Sequence, residues 1–444
     1  MNRKFRKQKS LNIRSLKRGL PSRWVALEII DQVLLYGKTV REIKDSSDFP
    51  LNELKHSERA RALSLSDTIL RNLSSFDSLI NQFLKKGEIN LRVRNILRLV
   101  TAELVCDNLA SHAVVDSAVS LTRKDVKTRH LAGLTNAISR RISDKSQTGL
   151  TLEKPKLSFD FAKQLKEIYG EEATQKISKA VQHAPPLDIT LKQPAKTSIF
   201  AEKLKANILP NGTLRIFKKF KITELEGFRS GDWWVQDVSA SMPVRFAGNV
   251  AGMRVLDCCA APGGKTMQLA SLGAHVFAID VSQKRLVKLM QNLKRTKLNA
   301  TLLNENILNY KSKKLFDLIL LDAPCSSSGT IRRNIDLQFL NPLTRLPELV
   351  RKQELMLEHV MQLLSPSGLL IFCTCSLYPQ EGEFLIKRIL ERHKNWTQKK
   401  LDVEKLGLNE AWLDKYGGLR LRPDYWDTEG GMDGFYIAAL GKTQ

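Results

Sequence analysis

The sequence predicts a multidomain chain: an all-helical N-terminal bundle, a small α+β middle module, and a C-terminal α/β domain on a doubly wound sheet. Three observations carry this. From Trp24 to about Ile142 apolar residues recur at three- and four-residue steps, and Pro50 is the one proline in the stretch. Between Leu157 and Val244 two helical patterns are followed by short apolar runs. From Gly252 onward short apolar runs alternate with helix-length segments, the pattern of a sheet with helices on both faces.

Bulk properties bound the function. A chain of 444 residues exceeds one ordinary core, and 42% hydrophobic content suffices to bury several. A net charge of +25 points to a polyanionic partner, nucleic acid first and an anionic membrane surface second. No apolar run approaches the roughly 20 residues of a membrane span, so a soluble protein is expected. Six cysteines are too few for a disulfide scaffold, and none has CxxC spacing or a histidine at zinc-site spacing. No metal is expected, and free thiols imply a reducing, cytoplasmic setting.

Residues 1–22 form a basic arm: Met1 to Arg23 carries nine Lys/Arg and no acid. An RNA-contacting arm is the favoured reading, with an organellar transit peptide the alternative. The bundle follows over 23–145, with Trp24, Leu27, Ile30, Val33, Leu65, Ile69, Ile96, Leu99, Val100 and Leu104 on its buried faces and about six helices. Lys145–Pro155 is polar and reads as a linker.

The middle module, 155–245, opens with helices at Phe161–Tyr169 and Glu172–Val181, separated by Gly170. Pro185-Pro186 halts the helical pattern. Strands are expected at Leu187–Leu191, Leu214–Phe220 and Trp233–Val235, around a helix at Ile199–Ile208. Lys218-Lys219-Phe220-Lys221 interleaves an aromatic with basic residues, as RNA surfaces and ordinary strands both do. In the last domain, 246–441, strands are expected at Met253–Asp257, Val276–Asp280, Leu302–Asn306, Phe316–Leu321, Leu369–Cys373 and Phe435–Leu440.

Chemistry gathers at the strand ends. Asp257-Cys258-Cys259-Ala260-Ala261-Pro262-Gly263-Gly264-Lys265-Thr266 is a strand–turn–helix, and its bare glycines let the backbone approach a nucleotide-type cofactor. It lacks the GxGxxG spacing of dinucleotide binders and the earlier glycine of a phosphate loop. Asp280 ends the next strand, where an acid can accept both ribose hydroxyls. Asp322-Ala323-Pro324-Cys325 is a rigid turn that aims a carboxylate and a thiol into one cleft, and Cys375 follows the next apolar run. If those two strands are parallel neighbours, both thiols emerge at one sheet edge beside the cofactor loop. Cys106, Cys258 and Cys373 read as small buried hydrophobes, and Cys373 is expected to point away from the neighbours of Cys375 only if strand alternation persists that far.

The strings DCCAAPGGKT, LDAPCSSSGTIRR, FCTCSLYPQEGE and GMDGFYIAAL resemble, in order and spacing, the signature motifs of the RNA cytosine-5 methyltransferases, the NOL/NOP/Sun family. The helical domain, ending in LTNAISRRI, resembles the NusB-like RNA-binding domain of the branch acting on small-subunit ribosomal RNA. The resemblance implies a Rossmann-like class I methyltransferase domain and S-adenosyl-L-methionine as cofactor. Carbon 5 of cytosine is a weak nucleophile until a thiolate adds to carbon 6. By resemblance Cys375 supplies that thiolate, and Cys325 removes the carbon 5 proton, directly or through water. Asp322 hydrogen-bonds and helps protonate ring nitrogen 3, and Lys265 favours the thiolate. Cys259, Ala260, Ala261, Pro262, Gly263, Gly264 and Lys265 wrap the methionine part of the cofactor, with Asp280 on the ribose and Asn306 and Asp322 completing the site.

Three positions depart from the family pattern. Asn306 stands where Asp is usual, no proline follows Arg332-Arg333, and the middle module reads Asp188-Ile189-Thr190-Leu191-Lys192-Gln193 in place of an Arg-x-Asn strand. The expected function is methylation of carbon 5 of one cytosine in small-subunit ribosomal RNA, by a monomer. Methylation of tRNA and a non-catalytic RNA-binding assembly factor are the alternatives.

Overall fold

The computed structural model describes residues 16–17, 19–84, 88–218, 221–340 and 344–443. Most of the basic arm, and Lys219 and Phe220 of the basic–aromatic string, lie outside them. The chain divides into two compact units, 1–164 with 334–341 and 165–333 with 342–444.

Among the described residues the first unit holds seven α-helices: Leu20–Tyr36, Val40–Asp45, His56–Arg71, Leu73–Asn81, Leu91–Thr101, Ser111–Lys124 and Ala132–Gln147. Their buried stripe contains Leu27, Ile30, Val33, Leu65, Ile69, Ile96, Leu99 and Val100, the positions that the periodicity marks. Each such side chain contributes about 1.5–3 kcal/mol by leaving water. Trp24 is only half-buried and lies under the Arg92 guanidinium, 4.7 Å from the ring centre. Glu103, fully buried, is held by Arg23 (2.8 Å) and Arg61 (2.7 Å).

Cys106, expected to be buried, is exposed. After Thr101 the helix widens into a π-turn, Ala102–Cys106, which leaves Leu104 inside and turns Cys106 out. The expected linker also begins later than its composition suggests. The last helix runs to Gln147, and the stretch beyond is tied back to the bundle through Lys156 N–H to Ser74 Oγ (2.8 Å) and Ser78 Oγ to Glu153 (2.9 Å). Residues 334–341 belong to this unit: Asp336 accepts from Val40 N–H at 2.8 Å, and Ser158 N–H donates to Gln338 at 2.8 Å.

The second unit begins in the helix Phe159–Ala180, which breaks at Gly170 (φ 81, ψ 173), a conformation that glycine adopts without steric cost. Four antiparallel strands follow, β1 (Leu187–Leu191), β2 (Asn207–Ile208), β3 (Leu214–Ile216) and β4 (Trp233–Val235), in the order β2-β3-β1-β4. Phe200 and Leu204 of the helix Thr197–Leu204 pack on Ile189, Leu214, Ile216 and Trp233. That helix stops earlier than expected because Lys205 takes a left-handed conformation (φ 50), and Asn207–Ile208 pairs as a strand instead. β3 ends at Ile216, short of the expected run to Phe220. Asp188 and Arg215, across β1 and β3, form a buried ion pair at 2.7 Å.

The large sheet holds β5 (Arg254–Cys258), β6 (His275–Ile279), β7 (Thr301–Leu303), β8 (Phe316–Asp322), β9 (Leu364–Thr374), β10 (Trp396–Lys399), β11 (Leu419–Leu421) and β12 (Phe435–Lys442). Its order is β10-β12-β9-β8-β5-β6-β7, with β11 also on β12. β5 to β9 run parallel, and β12 is antiparallel to β9. Residues alternate faces along each strand. Ile319, Leu321, Leu370 and Phe372 pack with Leu357 and Leu385 of the helices Leu346–Met361 and Glu383–Arg392. Leu318, Leu320, Ile371 and Cys373 pack on the other face with Val238, Met242 and Leu269. From β5 the chain moves to β6 and β7 on one side, then crosses to β8 and β9 on the other. This reversal opens a crevice at the C-terminal ends of β5 and β8, where open α/β sheets bind ligands.

Candidate active site

Each predicted side chain can be placed from this crevice upward. At the end of β5 the chain turns sharply: Cys259 is left-handed (φ 60) and Gly263 has φ 104. A Cβ on Gly263 would lie 2.0 Å from Leu289 Cδ1, so this turn admits only glycine. The helix Gly264–Ser271 then starts and carries Lys265 and Thr266 inward. Asp257, fully buried, accepts from Thr266 Oγ at 2.5 Å. Burial pushes its carboxyl up to about 7, and it braces the turn from below without facing the cleft.

Asp280, the acid expected at the ribose, lies next to that turn. Asp280 follows β6, and its carboxylate accepts from Ala261 N–H (3.1 Å) and Ser282 N–H (2.9 Å). Arg285 stands 3.2 Å from the same carboxylate and also donates to the Ala261 carbonyl. Cys259, Asp280, Arg285 and Asn306 line one cleft together with Lys352 and Met356. Burial pushes the Cys259 thiol up to about 12, which makes it a packing group rather than a nucleophile. The strand expected at Leu302–Asn306 stops at Leu303, which frees Asn306 to cap the following turn. The Asn306 side-chain Oδ1 accepts from Leu308 N–H at 3.2 Å, and an amide oxygen retains a second lone pair for another donor. An acid for vicinal hydroxyls, a turn with no side chain at Gly263 and a buried Arg285 Nε with no partner fit a nucleoside-based cofactor such as S-adenosylmethionine.

Beyond Pro324, at the ends of β8 and β9, lie the two thiols. β8 and β9 are parallel neighbours with Asp322 opposite Cys373. Asp322 accepts from Lys265 Nζ at 2.8 Å. Burial lowers the affinity of Lys265 for its proton, but the Asp322 charge and the nearby Cys373 outweigh burial and keep it an ammonium. Cys373 does not point away from this cluster. Its two-residue spacing from Cys375 keeps both on one face, and its Sγ lies 3.6 Å from Asp322 Oδ1. It is fully buried, and burial first, then Asp322, pushes its thiol up.

Cys325 Sγ and Cys375 Sγ are 3.4 Å apart. The hydrogen bond with Cys325 lowers the Cys375 thiol; burial and the Asp322 charge oppose it, and Ser327, 3.6 Å away, and Lys265 lower it further by smaller amounts. Cys325 is pushed up by the same hydrogen bond, then by burial, by the Cys375 charge and by Glu381. The pair therefore divides into a sulfur that readily carries charge and one that holds a proton.

Three further groups, Glu381 beside the thiols and Arg285 and Lys352 at the Asp280 cleft, escape sequence reasoning. Glu381, fully buried, accepts from Ser326 N–H (2.9 Å) and Ser326 Oγ (2.5 Å). Arg285 and Lys352 join the cofactor cleft from helix faces. Glu381 lies inside the quoted FCTCSLYPQEGE string, so position was the available clue. Among the described residues no group of three or more His, Cys, Asp or Glu could hold a metal ion, and no helix is long and apolar enough to cross a membrane.

Residues 249–441 match the model of the 16S rRNA methyltransferase RsmB/F family, and residues 20–144 match the NusB family. The chain is 30% identical over 454 residues to the ribosomal RNA small subunit methyltransferase B of Pasteurella multocida (strain Pm70), spanning 95% of this chain and 96% of that one. A methyltransferase homolog protein from Pyrococcus horikoshii is 27% identical, with a TM-score of 0.53 over 65% of this chain and 100% of its own. The crystal structure of PH0851 shares the fold, with a TM-score of 0.68 at 19% identity over 94% of this chain and 99% of its own.

Proposed function

The chain belongs to the RsmB/F family of 16S rRNA methyltransferases, and we propose that it methylates carbon 5 of one cytosine in small-subunit ribosomal RNA through a covalent adduct on Cys375. S-adenosylmethionine, when bound, supplies an electrophilic methyl group. The observation that carries the reading is the 3.4 Å thiol pair at the ends of β8 and β9, beside the Lys265–Asp322 pair.

The Cys375 thiolate adds to carbon 6 of the base, and electron density moves through the ring toward nitrogen 3 and carbon 5. Asp322 grips the nitrogen 3 edge. Its carboxylate is already hydrogen-bonded to the Lys265 ammonium, so the proton that neutralises the ring comes from the pair rather than from a neutral carboxyl. With its sulfur bonded to carbon 6, Cys375 no longer carries the charge that raises Cys325, so Cys325 loses its proton to solvent. Once carbon 5 is methylated, the Cys325 thiolate takes the carbon 5 proton, directly or through water. The carbon 6–sulfur bond breaks to return the Cys375 thiolate, and nitrogen 3 gives its proton back to the Lys265–Asp322 pair. Cys259 to Lys265, with Asp280 and Asn306, hold the cofactor in this scheme.

We place the boundaries at 1–22, 23–145, 155–245 and 246–441, with the NusB-family domain and the +25 charge drawing a ribosomal RNA substrate in the cytoplasm to a monomeric enzyme. Replacing Cys375 by Ala should abolish transfer from labelled S-adenosylmethionine, and bisulfite sequencing should find one small-subunit cytosine unmethylated in cells lacking the gene. Turnover by the Cys375→Ala enzyme would end this assignment.

A further inference from the structure

We propose that Glu381 is a positioning residue that clamps the Cys325 loop to the strand bearing Cys375, and so governs release of the product rather than formation of the adduct. The inference rests on the covalent reading above. Glu381 reaches the neighbours of both cysteines. Its carboxylate accepts from Ser326 N–H (2.9 Å) and Oγ (2.5 Å), one residue past Cys325. Its backbone carbonyl accepts from Thr374 Oγ at 2.9 Å, one residue before Cys375. Gln353 Nε2 donates both to Glu381 (2.9 Å) and to the carbonyl of Pro324 (2.9 Å), so the loop is gripped on either side of Cys325.

A buried hydroxyl network completes the clamp. Because Ser326 spends its proton on Glu381, it receives at Oγ from Ser328 (3.0 Å) and Ser376 (3.1 Å). Those two hydroxyls accept in turn from Leu377 N–H (2.9 Å) and Tyr378 N–H (3.0 Å). Each link depends on its neighbours, and the carboxylate is the terminal acceptor that fixes the direction of all of them.

The two thiols depend on this clamp unequally. Cys375 follows an eleven-residue strand paired along both edges, with Tyr436 opposite Thr374. Cys325 sits on a turn whose neighbours are anchored chiefly by Glu381 and Gln353. Loss of the carboxylate leaves buried donors on that turn unsatisfied and lets it shift, while the strand keeps Cys375 in place. The negative charge also opposes ionisation of Cys325, so attack stays with Cys375 and Cys325 gives up its proton only after the adduct has formed.

The test compares full-length wild type, Cys375→Ala, Cys325→Ala, Glu381→Ala and the near-isosteric Glu381→Gln on target RNA with labelled S-adenosylmethionine. Steady-state turnover and denaturation-resistant protein–RNA adduct are measured together. Glu381→Ala should lose turnover on the order of 100-fold, the scale of a misplaced reacting group. It should form adduct at near wild-type single-turnover rate and then retain it, as Cys325→Ala does. In Glu381→Gln, alkylation of Cys325 should shift to lower pH. Unchanged turnover in Glu381→Ala and Glu381→Gln, or parallel loss of adduct formation and turnover in both, would overturn the proposal. Turnover by Cys375→Ala, or absence of adduct in Cys325→Ala, would overturn the covalent reading instead.

Discussion

The two cysteines at the sheet edge are the same residue type, 3.4 Å apart, yet the chain mounts them differently. Cys375 extends a central strand that is hydrogen-bonded to β8 on one side and β12 on the other. Cys325 rides a turn stiffened by Pro324 and held by side chains from elsewhere in the unit. Mounting and charge, rather than residue identity, separate their duties. Their mutual hydrogen bond, with smaller help from Ser327 and Lys265, makes Cys375 the better anion; the same bond, with burial, the Cys375 charge and Glu381, makes Cys325 the better proton holder.

Removing Lys265 should blur that division most. In Lys265→Met the Cys375 thiolate loses its cation and Asp322 loses its 2.8 Å partner, so kcat should fall on the order of 100-fold. The pH profile carries the sign. In the proposed mechanism the active form is the thiolate, so the rate should rise with pH through the Cys375 ionisation, which the native site lowers from its ordinary value. Without Lys265 that rising limb should move to higher pH, and an unmoved limb would remove Lys265 from the account.

A smaller effect should come from the cofactor side of the crevice. Gly263→Ala places a methyl group 2.0 Å from Leu289 Cδ1 in a left-handed turn. It should raise KM for S-adenosylmethionine about tenfold and lower stability by roughly 1–3 kcal/mol, read by saturation kinetics and thermal unfolding. Its pH limb should match the wild type, which would show that the cofactor turn and the thiol pair are separable. A shifted limb would mean that they are not.

Much of this was legible because it is local. Helical periodicity marks Leu27, Ile30, Ile69 and Leu99, and short apolar runs bounded by Asp257, Asp280 and Asp322 mark the strands whose ends form the crevice. What escaped depends on distant partners. β2, β10 and β11 have two to four residues each and exist through pairing with a neighbour, not through a pattern of their own. Cys106 turned outward through a π-turn that no spacing signals. Glu381 owes its place to hydrogen bonds with Ser326 and Gln353, 55 and 28 residues away in sequence. Asn306 was expected at the cofactor site, and its side-chain carbonyl also caps a turn.

The division of labour between the two sulfurs can be tested on a single trapped species. Cys325→Ala enzyme, incubated with target RNA and S-adenosylmethionine and then denatured and digested, should yield one peptide bearing a methylated cytosine on Cys375. A cytosine attached to any other cysteine, or no attached peptide at all, would contradict the assignment of Cys375 as the attacking thiolate and Cys325 as the releasing one.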